Sequence, residues 1–456
     1  MSLLEWTGHP FVDAGLAAVL LLANKSDATD LTEKDVESAI DFVSKLYARD
    51  EWNSKIIHGM IFPNNGILMA NPAMKKRRTS ENIAKNLNEL FSEIKNSSGG
   101  FNCVICGERP AYDKKEVYRA VFPLLGSGDV TNYFHSGNPK GADICAHCLF
   151  LAQFMPIACY RLPRILLIHA YPYDIMLELN KDAIRDVKLT QLASNAENFT
   201  KPENYLFHRI KEITRKVGTH KYWERASINL YYFVCNNQTQ VLDIIHVPTS
   251  AMVFAAYAEL VDSLGWNKIL MAGWRNGDTR FEELERNYRN EVYSRLLNEE
   301  SILEYFFDRQ NRNTNAKWEL LNFYCVEVLG MDEKSLEFIK SIGDRIVETL
   351  QKLPENKLRD RVRELERAER RYQFEMFFIR LEKDRLELGL EKPLLSYEEF
   401  ASILTAYGED MNVSWRTAKN LLLFRIYERL HEKLLKVGEV EVQGEAEMIF
   451  AGGEET

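Results

Sequence analysis

The sequence predicts an α+β protein in two parts: a mixed α/β N-terminal lobe and an all-α C-terminal helical bundle. Three observations carry that expectation. Short apolar runs bounded by Asn, Gly and Pro recur through roughly the first 270 residues. After Gly277 the apolar positions recur at helical period, with short breaks at Pro354, Gly389, Pro393 and Gly408. Two Cys-x-x-Cys pairs, Cys103-Val-Ile-Cys106 and Cys145-Ala-His-Cys148, bracket a loop-rich excursion in the first part.

The elements follow in order. Pro10 is placed to start a helix through the apolar run to Ala23. Thr32 can cap an amphipathic helix to Ala48, with Val36, Ile40, Val43 and Tyr47 on one face. A further helix starts near Thr79-Ser80. Extended segments are expected at Ile56–Phe62, Arg164–Tyr171, Ile228–Cys235 and Gln240–Val247, the last two joined as a hairpin through Asn236-Asn237. Helices then run over Thr279–Leu297, Ser301–Arg309, Lys317–Val328, Glu333–Leu353, Asn356–Leu388, Tyr397–Tyr407 and Ser414–Val437. Short links between the last four predict an antiparallel bundle. The expected division is 1–276 for the lobe, with an insertion at 101–150, then a helical connector at 277–330, the bundle at 331–438 and an acidic, disordered tail at 439–456.

Composition narrows the class. With 456 residues, 46% of them hydrophobic and 27% charged, the chain is globular and is neither disordered nor fibrous. The formal charge of −9 is uneven, because residues 439–456 hold six glutamates and no Lys or Arg, leaving −3 for the other 438. The acidic balance thus describes the tail and leaves room for basic patches elsewhere. The apolar stretch Ala14–Ala23 is short of the ~18–20 residues of a membrane span, and no Lys or Arg precedes it as in a signal peptide. Seven cysteines are too few for a disulfide scaffold. A soluble cytoplasmic protein without membrane contact is expected.

The paired knuckles carry the strongest chemistry. Two thiolates separated by two residues bite one Zn²⁺ from a tight turn, and Cys103, Cys106, Cys145 and Cys148 complete a tetrahedral S₄ site. Gly107 suits the turn by allowing positive φ. A structural Zn²⁺ would turn residues 101–150 into a stiff zinc-binding insertion presenting Arg119, Asn132, Asn138 and Lys140, side chains suited to phosphates and groove edges. His147 could replace a thiolate, but its place inside the second pair points it elsewhere. Cys159, Cys235 and Cys325 sit among apolar neighbours and read as inert.

Two basic clusters add candidate DNA contacts. Lys75, Lys76, Arg77 and Arg78 precede a helix start, where cations and free amides suit phosphate; a solvated surface loop fits them as well. Arg359, Arg363, Arg367, Arg370 and Arg371 form a stripe if residues 356–388 make one helix. Glu364, Glu366 and Glu369 interleave, so ion pairing along a solvated face is the plainer reading. No P-loop, HExxH or G-x-S-x-G signature is present, and no catalysis is expected. An HNH-like metal-dependent nuclease also frames its active hairpin between two knuckles and could draw on His135 and Asn138, although no histidine follows the first knuckle. A zinc-containing structural scaffold is the other alternative.

Trp6-Thr-Gly-His-Pro-Phe-Val-Asp-Ala-Gly15, the segment Asn71-Pro72, and the two knuckles with Phe122-Pro123-Leu124 between them resemble the CRISPR-associated CXXC–CXXC family. The resemblance covers roughly the first 250 residues by motif, and the C-terminal third is compatible in architecture only. It implies the non-catalytic large subunit of a type I (I-B-like) Cascade surveillance complex. Such a subunit recognises the flanking motif (PAM) of target double-stranded DNA, stabilises the displaced strand of the R-loop and recruits a separate helicase-nuclease. Implied partners are the crRNA-containing Cascade subunits: backbone, crRNA 5′-end-binding and small subunits. In related complexes the C-terminal bundle resembles the small subunit and can be made separately. Met331 precedes the four-helix segment, and a product starting there would have 126 residues and a mass of about 15 kDa.

Overall fold

In the computed structural model, which describes residues 3–96, 101–126, 141–274, 279–405 and 411–451, the first helix runs Pro10–Leu22. His9 caps it, its Nδ1 accepting the Phe11 N–H at 3.3 Å, and Pro10 occupies the first turn. Thr32 caps the helix Glu33–Tyr47 in a full capping box with Asp35. The helix Ser80–Asn96 also starts where the sequence places it.

The chain divides into two compact units. One comprises Met1–Arg209, Tyr222–Thr249 and Glu282–Arg289; the other comprises Ile210–Lys221, Ser250–Phe281 and Asn290–Thr456. The expected lobe 1–276 therefore contributes residues to both.

In the first unit a four-stranded antiparallel sheet has the order β1 (Tyr160–Arg161), β2 (Ile165–Tyr171), β3 (Ser227–Cys235) and β4 (Gln240–Val247). The expected hairpin is present, with Cys235 opposite Gln240. Strand β2 is buried along Ile165–Ile168, whereas most of β4 is exposed as the edge of the sheet. The Pro10–Leu22 helix packs on β2 and on the helices Ala146–Ala152, Met155–Ala158 and Tyr173–Thr190. Ten consecutive residues of it, Phe11–Leu20, are buried. The approach to the Ala146–Ala152 helix is close: a Cβ on Gly15 would stand 1.8 Å from the Leu151 carbonyl oxygen. Gly15→Ala must therefore push two buried helices apart, and a stability loss of about 1–3 kcal/mol is expected in urea unfolding.

Ile56–Phe62 is not a strand. The segment Asn53–Ile61 is a π-helix continuing from the turn Asp50–Trp52, and it buries Ile56, Ile57 and Ile61. A short apolar run fits a buried strand and a buried helical turn equally, and here the helical start at Asp50 decides.

The second unit is helical. The helix Glu333–Lys352 packs along the last helix, Met411–Ala451, burying Leu336, Ile339, Ile342, Ile346 and Leu350 at the expected three-to-four spacing. Four other expectations fail. Thr279–Leu297 is two helices, Phe281–Asn287, which falls almost wholly in the first unit, and Glu291–Leu297 in the second, because the fully buried Asn290 caps the latter by accepting from Val292 and Tyr293 N–H. Ser301–Arg309 holds a short 3₁₀ turn, Leu303–Phe306, and then a strand, Phe307–Asp308, paired with Asn313–Thr314. Asn356–Leu388 breaks into Glu355–Glu366 and Arg371–Glu387. At that break Lys419 Nζ donates to the carbonyls of Glu366 and Ala368, and the Gln373 side chain accepts from the N–H groups of Glu369 and Arg370. The final helix continues through the acidic stretch to Ala451, in keeping with the helix preference of Glu, Ala and Met. Glu454 and Glu455 lie outside the described residues. Among the described residues no helix is long and apolar enough to cross a membrane.

Candidate metal centre

Each knuckle is built by local backbone hydrogen bonds. In the first, Gly107 N–H donates to Cys103 O at 2.8 Å and Ile105 N–H to Cys103 Sγ at 3.4 Å. Gly107 has φ +72°, the positive value expected of the turn. In the second, Cys145 caps the Ala146–Ala152 helix, its Sγ accepting from Cys148 N–H at 3.5 Å. Cys103 N–H to Arg109 O closes the first turn, and Val104 N–H to Asp143 O and Tyr112 N–H to Ile144 O lace the two knuckles together.

These bonds bring all four sulfurs within 4.8 Å of one another, with Cys103–Cys148 at 3.8 Å and Cys106–Cys145 at 3.7 Å. A tetrahedron with Zn–S bonds of ~2.3 Å has edges of about 3.8 Å, so the donor set fits a tetrahedral cation such as zinc. Cys103, Cys145 and Cys148 are buried and Cys106 is half-buried. The thiols answer each other's charge. Hydrogen bonds from Cys145 and Cys148 hold the Cys103 thiol far below its usual range, while acting as donor to Cys103 pushes Cys145 up to about 12. Four thiolates this close need a cation to coexist, and the set can hold one.

Behind the sulfurs lies a polar brace that sequence reasoning missed. His147 is not a fifth donor. Its Nε2 accepts the Glu5 N–H at 3.0 Å, which leaves the neutral ring's proton on Nδ1, 3.9 Å from Cys148 Sγ. Burial, followed by the charge of Arg109, lowers the His147 pKa to about 4 and keeps the ring neutral. Arg109 in turn pairs with Glu5 at 2.8 Å. The next residues of the chain close on Asp13, which is fully buried. It accepts from Thr7 N–H at 2.8 Å, Thr7 Oγ at 3.1 Å and Gly8 N–H at 3.0 Å, and it faces His169 Nε2 at 3.1 Å. Trp6 stacks on Tyr173 at 4.0 Å, and His9 and Phe11 meet Phe122 at 5.4 and 6.0 Å. The motif segments Trp6–Gly15 and Phe122–Leu124 thus meet one another, and Glu5, just before the first, meets both knuckle segments through Arg109 and His147. Their co-occurrence in one chain is the signal that could have found the brace.

The candidate DNA-binding residues divide by environment. Lys76 and Arg77 are exposed, Lys75 is exposed but paired with Asp50, and Arg78 is buried against the same carboxylate at 2.8 Å. Arg119 is half-buried. Asn132, Asn138 and Lys140, with His135, lie outside the described residues. The arginine stripe does not form on one helix. Arg359 and Arg363 are half-buried on the first of the two helices, Arg367 and Arg370 are exposed at the break, and Arg371 opens the second helix paired with Glu375 at 2.8 Å. Cys159, Cys235 and Cys325 are buried, as expected of inert thiols.

Residues 96–160 match the model of a protein family described as CRISPR-associated protein (Cas_CXXC_CXXC). The match spans both knuckles and the whole excursion between them, 65 of the 456 residues. No curated protein and no solved structure matches the chain.

Proposed function

We propose, from the premise that the paired knuckles mark a CRISPR-associated protein, that the chain is the non-catalytic large subunit of a type I (I-B-like) Cascade complex in the cytoplasm. The observation that carries this reading is the four-sulfur centre. It lies within the matched segment and is tied through Glu5, Arg109 and His147 to the N-terminal block. In this reading a structural Zn²⁺ holds the insertion in shape, and Asn132, Asn138 and Lys140 on it read a short flanking duplex motif. A motif read in the minor groove would be discriminated coarsely, since that groove separates A·T from G·C and little more. Guide pairing reads the rest of the target, and a separate helicase-nuclease does the cutting.

Affinity purification of the tagged chain from its host tests the reading. A crRNA and repeated backbone subunits are expected to come along, and the complex should capture duplex carrying the motif in preference to duplex without it. Neutralising Lys76 and Arg77 should weaken capture of every sequence alike and flatten the salt dependence by about 0.9 in log–log slope for each phosphate the protein no longer neutralises. Purification without any RNA, or capture indifferent to the flanking duplex, would refute the assignment.

A further inference from the structure

The helical unit contains a cleft of about 300 Å³ to which the proposed function assigns no role. Arg309 reaches it from the turn after the strand Phe307–Asp308, and Glu369 from the helix break. Trp415, Arg416, Lys419 and Asn420 line it from the Met411–Ala451 helix. Several arginines of this unit are matched to acids, among them Arg312 with Glu366 at 2.9 Å, Arg345 with Glu399 at 2.8 Å and Arg361 with Asp384 at 2.6 Å. The cations of the cleft are gathered in one place without such partners. Among the described residues none of its three cations forms a salt bridge. Arg309 donates to Asn420 Oδ1 at 3.2 Å and lies over the Phe307 ring, and Arg416 lies over the Trp415 ring. Lys419, 8% exposed, donates to backbone carbonyls at 3.0 and 2.6 Å. Burial, and then repulsion from Arg309 and Arg416, brings the Lys419 pKa down to about 8, which still leaves it protonated at neutral pH. Among the described residues that line the cleft, three cations face one acid, Glu369, and the Glu366 carboxylate near Lys419 is already paired with Arg312, so the lining carries an excess of positive charge.

We infer that this cleft binds a phosphate group. Guanidinium forks match phosphate oxygens; a phosphomonoester carries about −1.5 to −2 near neutral pH and each backbone phosphodiester about −1, and the positive lining attracts both. The volume stands at the small end of ligand pockets, ~300 Å³ and upward. The group can come from a free phosphate compound or from the backbone of a single nucleic-acid strand. The inference does not rest on the proposed function, because a chain that failed to recognise duplex would still bind phosphate here.

Calorimetric titration of the full chain with inorganic pyrophosphate at low salt is the test. Arg309→Gln and Arg416→Gln, both on exposed side chains, are each expected to weaken binding about tenfold. Glu369→Gln should tighten it about threefold, a sign that loss of fold would not produce. Arg380→Gln removes a cation paired with Glu364, away from the cleft lining, and should change nothing. Competition by an unphosphorylated oligothymidylate assigns the site to a strand backbone, and pyrophosphate binding that the oligomer leaves unaffected assigns it to a free phosphate compound; either result supports the site. Wild-type affinity in both Arg309→Gln and Arg416→Gln, or weaker binding in Glu369→Gln, overturns the inference.

Discussion

Serine at Cys145 is expected to lower bound zinc from about one ion per chain to a small fraction of that, and to open residues 101–126 to protease. Cys145 contributes twice to the centre: its sulfur stands 3.7 Å from that of Cys106, and it caps the helix that carries Cys148. The insertion's later half is also held by buried Val117, Val121 and Phe122, but the first knuckle and the loop after it have few such contacts. Phe101 and Val104 are 78% and 70% exposed, and Asp113 to Glu116 are all exposed. A structural Zn²⁺ supplies apparent binding free energy of ~10–16 kcal/mol in small domains, more than so few buried side chains can replace. Elemental analysis and limited proteolysis, in which Lys114 and Lys115 are ready trypsin targets, measure the outcome. A chain that contains no metal when purified, or a Cys145→Ser variant as protease-resistant as the parent, would rule out the metal centre.

The second large effect is expected at Asp13. Asp13→Ala leaves the N–H groups of Thr7 and Gly8 and the His169 ring without the acceptor they share. Removing one member of a buried charged network costs about 3–5 kcal/mol, against a usual total stability of about 5–15 kcal/mol. Asp13→Asn keeps an acceptor oxygen and should lose less. Denaturant unfolding compares the two, and a loss below about 1 kcal/mol for Asp13→Ala would show that the brace is dispensable.

Those two sites differ in how far sequence alone reveals them. The four-sulfur cluster is legible because its cysteines come in pairs with fixed spacing, and convergence on one point is the simplest use of two such pairs. The Thr32 cap and the β3–β4 hairpin are legible for a similar reason, since their determinants lie within a few residues. The brace is not. His169 stands 156 positions from Asp13, and His147 stands 142 from Glu5. The break at residues 367–370 escapes a sequence reading because the lysine that takes up its free carbonyls lies about 50 residues further on, and no Gly or Pro marks the spot. Ile56–Phe62 reads as extended, though it lies largely in the π-helix Asn53–Ile61, because an apolar run carries no period of its own. The phosphate cleft gathers cations from positions 309, 416 and 419, and no local pattern connects the first to the other two.

The tie between the start of the chain and the second knuckle also bears on synthesis. Residues 5–15 leave the ribosome well before Cys145–Leu151, and at ~5–20 residues per second the interval is about 7–30 s. Throughout that time the apolar helix Pro10–Leu22 has no Leu151 backbone to lie against, and Glu5 has no His147 to receive its N–H. The nascent chain therefore passes through a period when its most apolar early segment lacks most of the surfaces that later bury it.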